Sequence, residues 1–372
     1  MDSRMDVREF DFDLPPELIA QEPPPERGAS RLLCLDRASG SIVHSHIAAI
    51  AGFLTEGDLV VVNNTRVFPA RLVGRRVPSG GAVEFLLIRS LGSGLGEADV
   101  NATPQSPSDA RLHPQMWEAL VHPGQKLKPG ARVVFDGVHA LHGEIVDRGS
   151  FGRRVVRLST DGAVTVDEAV DASGRMPLPP YIKRDDDAAD RDRYQTVFAS
   201  ARGSIAAPTA GLHFTPTVVG TLASRGVTLA EITLHVGYGT FQPVRVDRVE
   251  DHRLDSERYE ISAAAAATVN DALDQGRRVI AVGTTTTRTL EAVARAHNGR
   301  IAAGTGATDL FIYPGFEFVV VNGLLTNFHV PRSSLLMLVS AFAGVDAVRT
   351  AYHAAIAERY RFYSYGDAML IL

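Results

Sequence analysis

Hydrophobic and polar positions change texture twice along the chain. From Ile42 to Val62 they predict a short strand, a helix and a second strand, Leu59-Val60-Val61-Val62, which runs into Asn63-Asn64-Thr65-Arg66. After Pro69 come short β-type runs: Ala70–Val73, Ala82–Ile88, Trp117–Val121, Ala131–Phe135, Leu141–Val146 and Arg153–Leu158. Gly80-Gly81, Pro129-Gly130 and Asp136-Gly137 punctuate them. Many short strands with turn signals and almost no helical period predict a small β-barrel. Within it, residues 90–112 are rich in Gly, Ser, Pro and Ala and read as a flexible insertion between two strands.

After Asp161 strands and helices alternate. Thr215 and Pro216 open a helix that stops near Gly226, and Val227–Val236 is a long strand. Ser262 caps an alanine-rich helix that ends by Gly276. Strand Val279–Val282, the loop Gly283–Thr287 and helix Arg288–Ala296 follow. Phe316–Thr326 reads as β-rich, Leu335–Phe342 and Val345–Arg359 as helices, and Met369–Leu372 as a buried strand. This alternation predicts an α/β core. The barrel interrupts it, so the core is expected to be discontinuous, residues 1–67 plus 161–372, with the barrel at 68–160.

Composition narrows the class. The 372 residues, 45% hydrophobic and 22% charged, suffice for two or three domains with full cores. A single cysteine, Cys34, excludes a disulfide framework and any multi-cysteine metal or iron–sulfur site. The stretch MDSRMDVREFDFDL has no apolar h-region, and the longest apolar run, Leu335–Val345, is too short to cross a bilayer. A reducing, cytoplasmic compartment is expected. The net charge of −5 hides an asymmetry: Arg66–Arg157 holds 13 Arg/Lys against 8 Asp/Glu, so this stretch is +5 and the rest −10. A basic module on an acidic body offers phosphate contacts, with Arg75, Arg76, Lys126, Lys128, Arg153 and Arg154 as candidates. Solvated decoration of a small β domain is the plainer alternative.

In open α/β sheets, ligands bind beyond the carboxyl ends of strands, often against helix N-termini. Four loops fit that rule. Thr284, Thr285, Thr286 and Thr287 with Arg288 offer hydroxyls, backbone N–H groups and a guanidinium to a carboxylate or phosphate; a capped βα turn is the alternative. Thr326–Ser334 carries Asn327 and His329 ahead of an apolar helix that Ser333 or Ser334 caps. Pro208–Phe214 holds His213 on a tight loop, and Leu234–Phe241 carries His235, two glycines and Thr240. Glu257 and Glu260 in DSERYEIS, and Tyr365 and Asp367 in SYGDAML, add carboxylates and a phenol. Histidine exchanges protons near neutral pH. Asp185, Asp186, Asp187, Asp190 and Asp192 lack the Gly and terminal Glu of an EF-hand and read as a solvated loop, so no metal site is expected. No HExxH, no GxGxxG after a strand and no GxxxxGK[ST] occurs.

Longer motifs run in order along nearly the whole chain: FDLPPELIAQEP from Phe12, ERGASRLL from Glu26, VVNNTRVFPARL from Val61, PLPPYIKR from Pro177 and RYQTVFA from Arg193. GSIAAPTAGLHFT from Gly203, ITLHVGYGTFQPV from Ile232, GTTTTRTLE from Gly283, TDLFIYPGF from Thr308, LLTNFHVPRSSLLMLVSAFAG from Leu324 and YRFYSYGDAMLI from Tyr360 complete the set. Together they resemble the S-adenosylmethionine:tRNA ribosyltransferase-isomerases of queuosine biosynthesis. The chain departs from that family at Thr286, where serine is frequent, and at Val330 and Ser334, where leucine and threonine stand. The 90–112 insertion is longer than usual.

The resemblance implies a three-layer α/β/α core with an inserted small β-barrel. It implies transfer and isomerisation of the ribosyl part of S-adenosylmethionine onto 7-aminomethyl-7-deazaguanine at the tRNA wobble position, giving epoxyqueuosine, adenine and methionine. S-adenosylmethionine is then a cosubstrate, with no permanently bound cofactor, and a monomer without membrane contact is expected. That chemistry needs a base for the proton beside the sulfonium, a proton for leaving adenine, a neutral amine and a donor for the epoxide oxygen. The loops offer His213, His235, His329, Glu257 and Asp367 for proton transfer. Thr240, the four threonines, Arg288, Asn327, Ser333, Ser334 and Tyr365 are the substrate-binding candidates. Either His235 or His213 is expected as base, with Arg288 and the threonines on the methionine carboxylate. A methyltransferase lacks its glycine-rich loop here, a radical enzyme lacks its cysteines, and a pure RNA-binding barrel leaves the polar core loops unexplained.

Overall fold

A computed structural model describes residues 5–93, 113–149, 152–241 and 244–372, with the backbone alone for Ser93, Thr240 and Phe241. Most of the 90–112 insertion lies outside the described residues; residues 90–93 extend a barrel strand. The chain divides into two compact units. One comprises Met1–Arg66, Pro179–Asp185 and Asp192–Leu372, and the other Val67–Leu178 and Asp186–Arg191.

In chain order the strands are β1 (Arg31–Leu35), β2 (Ile42–His46), β3 (Leu59–Asn63) and β4 (Thr65–Val67). Then come β5 (Arg71–Val77), β6 (Ala82–Ser93), β7 (Gln115–His122), β8 (Arg132–Phe135), β9 (Leu141–Arg148) and β10 (Arg153–Thr160). The last are β11 (Ala201–Ser204), β12 (Thr228–Leu234), β13 (Glu257–Ile261), β14 (Val279–Val282), β15 (Gly304–Thr308), β16 (Gly323–Asn327) and β17 (Ala368–Ile371).

The first unit is built on a nine-stranded sheet in the order β15-β13-β12-β3-β14-β16-β17-β1-β2. β12, β3, β14 and β16 run parallel at its centre. The apolar run of β3 is continuous because both faces are covered. Leu59 and Val61 join one buried cluster with Val269 and Leu290 of the helices Ala263–Asp274 and Thr284–Ala296. Val60 and Val62 join another with Ile47, Ile50, Val218 and Leu222. Side chains alternating with period two thus split the core between the faces, which gives the three-layer α/β/α arrangement. Among the described residues no single helix is long and apolar enough to cross a membrane.

Two elements differ from the pattern expected from sequence. The segment Gly283–Thr287 is no loop. Gly283 turns at φ +93°, a conformation favourable to glycine, and the helix Thr284–Ala296 begins at once. Of Phe316–Thr326 only the end is strand, as β16.

In the second unit β5 to β10 close into an antiparallel barrel in the order β10-β7-β6-β5-β8-β9. Leu72, Phe85, Leu87, Trp117, Phe135, Val156 and Leu158 are buried, and the Phe85 and Phe135 rings meet edge to face at 5.1 Å. This unit runs on past residue 160. The helix Val166–Ser173, opened by a Thr165/Glu168 capping box, packs on β9 and β10 through Val166, Ala169 and Val170.

Candidate active site

Sheet topology gathers the polar loops. Asn63, His235, Gly283 and Asn327 end or follow the four parallel strands, so all stand at the carboxyl edge. β17 runs antiparallel to β16 with Ala368 opposite Asn327, which brings Asp367 to that edge. β1 runs parallel to β17, so Ser30 precedes it there. β13 returns antiparallel beside β12, and its first residue, Glu257, reaches the same edge.

His213 is the most enclosed of the candidate bases. It sits in the short helix Thr209–His213, with Nδ1 2.9 Å from Ser30 Oγ. Burial pushes its pKa down to about 4, while the Asp367 charge and the Asn327 amide oppose that shift. At neutral pH the ring is therefore uncharged. It lines a cleft together with Pro23, Pro24, Arg27, Gly28, Ser30, Arg193, Leu212, Ser364, Tyr365 and Gly366. Asp367 closes the back of this group. Its carboxylate accepts the N–H groups of Arg31 at 2.9 Å and Arg361 at 2.8 Å, and pairs with the Arg31 guanidinium at 3.4 Å.

A second centre joins Glu257 and Arg288. Arg288 Nη1 lies 2.6 Å from Glu257 Oε2, and Arg288 Nε donates to the Leu310 carbonyl at 2.9 Å. Glu257 Oε1 accepts the Gly237 N–H at 2.8 Å. Arg288 Nη2 is buried and finds no partner among the described residues. The four threonines before Arg288 are all buried. Thr286 and Thr287 donate to the Val282 and Gly283 carbonyls, so two of the hydroxyls expected on a ligand serve the helix itself.

The remaining candidates are dispersed. His235 Nδ1 lies 2.8 Å from Thr65 Oγ1, and Gly203 packs so close that any Cβ there would come 2.7 Å from the ring. Burial and the Arg258 charge lower its pKa, and Glu260 opposes them. His329 lies apart from His213. Leu324 and Leu325 point to opposite faces, Thr326 follows Leu324, and Thr326 Oγ1 holds His329 Nε2 at 2.8 Å. Burial pushes its pKa down to about 3. Ser333 caps the helix Ser334–Ala343, accepting the Leu336 N–H and donating to the Val330 carbonyl, and Ser334 is buried at its start. Tyr365 lines the His213 cleft, its ring 5.9 Å from that of Tyr194. Thr240 lies in the short helix Tyr238–Phe241, and its side chain is outside the described residues.

On the barrel unit, Arg75, Lys126 and Lys128 are exposed and Arg76 is half-buried. Arg153 pairs with Glu118 at 3.1 Å. Arg154 departs from expectation. It is 4% exposed and donates to the carbonyls of Leu127, Arg153 and Gly124, so it ties a turn to β10 and presents no charge to a phosphate. Asp187 and Asp190 accept backbone N–H groups of their own segment. Among the described residues no group of three or more His, Cys, Asp or Glu is arranged to hold a metal ion.

Sequence reasoning missed Ser30, Thr65 and Gly203. The serine directly before the strand Arg31–Leu35 was the available signal for the first, since it stands at the mouth of an apolar run. Nothing local marks the other two, because their partner His235 lies far along the chain.

The chain matches the family model described as queuosine biosynthesis protein over residues 7–371. It is 48% identical over 368 residues to the S-adenosylmethionine:tRNA ribosyltransferase-isomerase of Heliobacterium modesticaldum, covering 99% of this chain and 100% of that one. The protein of the same name from Geobacter sulfurreducens is 49% identical over 366 residues, 98% of this chain and 99% of that one. A crystal structure of S-adenosylmethionine tRNA ribosyltransferase from Thermotoga maritima is 37% identical, with a TM-score of 0.52 over 98% of this chain and 100% of that chain. Matched from one end to the other by sequence and by structure, the chain belongs to the queuosine biosynthesis protein family.

Proposed function

We propose that this protein transfers and isomerises the ribosyl moiety of S-adenosylmethionine onto 7-aminomethyl-7-deazaguanine at the tRNA wobble position, releasing adenine and methionine. The full-length identity to relatives named for this activity carries the reading. The carboxyl edge of the sheet supports it with chemistry of the right kind. His213 and His235 are neutral imidazoles, able to accept a proton from the carbon beside the sulfonium. Arg288 keeps Nη2 unspent beside Glu257 and is the group we assign to the methionine carboxylate. S-adenosylmethionine is a cosubstrate, and no permanently bound cofactor is invoked.

The α/β unit is the catalytic body in this reading, and the barrel unit supplies phosphate contacts through Arg75, Arg76, Lys126 and Lys128. We place the enzyme in the cytoplasm, acting as a monomer. Mass spectrometry of an anticodon stem-loop RNA after incubation with the protein and S-adenosylmethionine tests the reading. The RNA should gain the mass of the epoxycyclopentane-diol moiety only when it carries the 7-aminomethyl group. A gain on RNA with unmodified guanine at that position would refute it.

A further inference from the structure

We propose that Ser30 and His213 form a proton relay whose outer hydroxyl, that of Ser30, faces the substrate in the cleft. The identity of the substrate rests on the ribosyl-transfer reading above; the geometry of the relay stands by itself.

Three buried side chains from distant parts of the chain converge here. Ser30, His213 and Asn327 are 4%, 3% and 2% exposed. The Asn327 amide is held in one orientation because Nδ2 donates to the Tyr363 carbonyl at 3.0 Å. Its Oδ1 and His213 Nε2 are both buried without a hydrogen-bond partner among the described residues. The ring's hydrogen bond is the one at Nδ1, 2.9 Å from Ser30 Oγ. In the proposed pair the Ser30 hydroxyl donates to Nδ1, which leaves the ring proton of the neutral imidazole on Nε2.

The resulting order is hydroxyl to imidazole, the logic by which a serine is activated on unrelated folds. The negative charge of Asp367 favours the protonated ring. The backbone around the serine is pinned on both sides. The Ser30 carbonyl accepts the Ile47 N–H at 3.0 Å, and the Arg31 N–H is held by Asp367. The charged and titratable groups around the ring are Asp367 with its partners Arg31 and Arg361, and Arg27, Arg193 and Tyr365 across the cleft.

The proton balance is simple. The C–H bond beside the sulfonium breaks, its electron pair stays on carbon, and the proton passes to Ser30 Oγ. The serine's own proton moves to His213 Nδ1, and the imidazolium keeps its Nε2–H. Running the two transfers backwards delivers a proton to departing adenine, so the relay ends as it began. Ser30 is then a catalytic residue, and His213 is the group that takes and returns its proton.

Spectra of the intact chain carrying 15N-labelled histidine test the geometry without turnover. At pH 7 His213 should be neutral with its proton on Nε2, and its Nδ1 resonance should move in Ser30→Ala. Adenine release from S-adenosylmethionine and the 7-aminomethyl stem-loop tests the role. Ser30→Ala should lower kcat by about 10²–10⁴-fold with KM for S-adenosylmethionine within about threefold. Ser30→Thr, which keeps the hydroxyl, should recover to within about tenfold of the unaltered enzyme. A proton on Nδ1, an unaltered kcat in Ser30→Ala, or equal loss in Ser30→Ala and Ser30→Thr would overturn the relay. Should Ser30→Ala not fold, the tautomer in the unaltered chain decides. An unaltered enzyme that releases no adenine counts against the ribosyl-transfer reading instead, and the tautomer still judges the relay.

Discussion

Arg288 and Glu257 meet at 2.6 Å with side chains only 5% and 4% exposed, at the edge where the central strands end. Taking two charges out of water costs several kcal/mol per ion, and the pair offsets that cost only with further hydrogen bonds. Those come from the Gly237 N–H on Glu257 and the Leu310 carbonyl on Arg288. The pair therefore fixes the guanidinium in place while leaving Nη2 without a partner among the described residues.

Arg288→Ala should accordingly do two things at once. It removes a charge-assisted contact to the methionine carboxylate, which weakens S-adenosylmethionine binding roughly 10- to 150-fold. It also strands Glu257 in the interior, which costs about 3–5 kcal/mol of stability. Calorimetric titration and a denaturant midpoint measure the two effects. The double variant Arg288→Ala with Glu257→Gln should regain part of the stability and none of the affinity.

Charge on the barrel separates into two kinds. Arg154→Ala should destabilise the barrel unit by about 2–4 kcal/mol, since three carbonyls lose a charged donor. Lys126→Ala and Lys128→Ala should leave stability alone and raise the KM for tRNA. Each should also flatten the log–log salt dependence of tRNA binding by about 0.7–0.9. An unchanged salt slope would return these lysines to solvated decoration.

Acid should weaken the fold through its buried histidines. His213 and His329 have pKa values near 4 and 3, depressed below the ordinary 6.5 by burial. Between pH 6.5 and those values the unfolded chain binds protons that the folded chain does not, so stability falls as pH drops through this window. At pH 5 each histidine should cost about 2 kcal/mol relative to pH 7.5. Denaturant midpoints at the two pH values measure the sum, and His329→Gln should flatten the dependence.

Chelation should leave turnover intact. Methionine leaves the sulfonium as a neutral thioether and adenine leaves protonated, neither needing a Lewis acid, and the carboxylates of Asp187 and Asp190 already serve backbone N–H groups. Activity lost in EDTA and restored by one divalent metal would show that the acidic segment has another task.

The carboxyl-edge rule gathered the candidate loops at one edge of the sheet because it depends on strand direction, and the structure places Asn63, His235, Gly283 and Asn327 together there. Ser30 was illegible for the opposite reason. Ser30 precedes a strand that pairs with the last residues of the chain, so its neighbour His213 is 183 positions away and no local pattern joins them. The segment Gly283–Thr287 was read as a loop for a local reason. Threonine disfavours helix interiors in isolation, yet here the hydroxyls of Thr286 and Thr287 bond back to the preceding turn and the tertiary core overrides propensity. Arg154 was misread because charge counts do not report direction. On β10 the pattern of alternation buries every second side chain, and Arg154 falls on the inner row with Val156 and Leu158.

The decisive measurement is the fate of the adenosyl group. Chromatography of a reaction holding S-adenosylmethionine and stem-loop RNA with 7-aminomethyl-7-deazaguanine should show free adenine and methionine in equal amounts, and neither without the modified RNA. S-adenosylhomocysteine as the main product, with a methyl group on the RNA, would contradict ribosyl transfer outright.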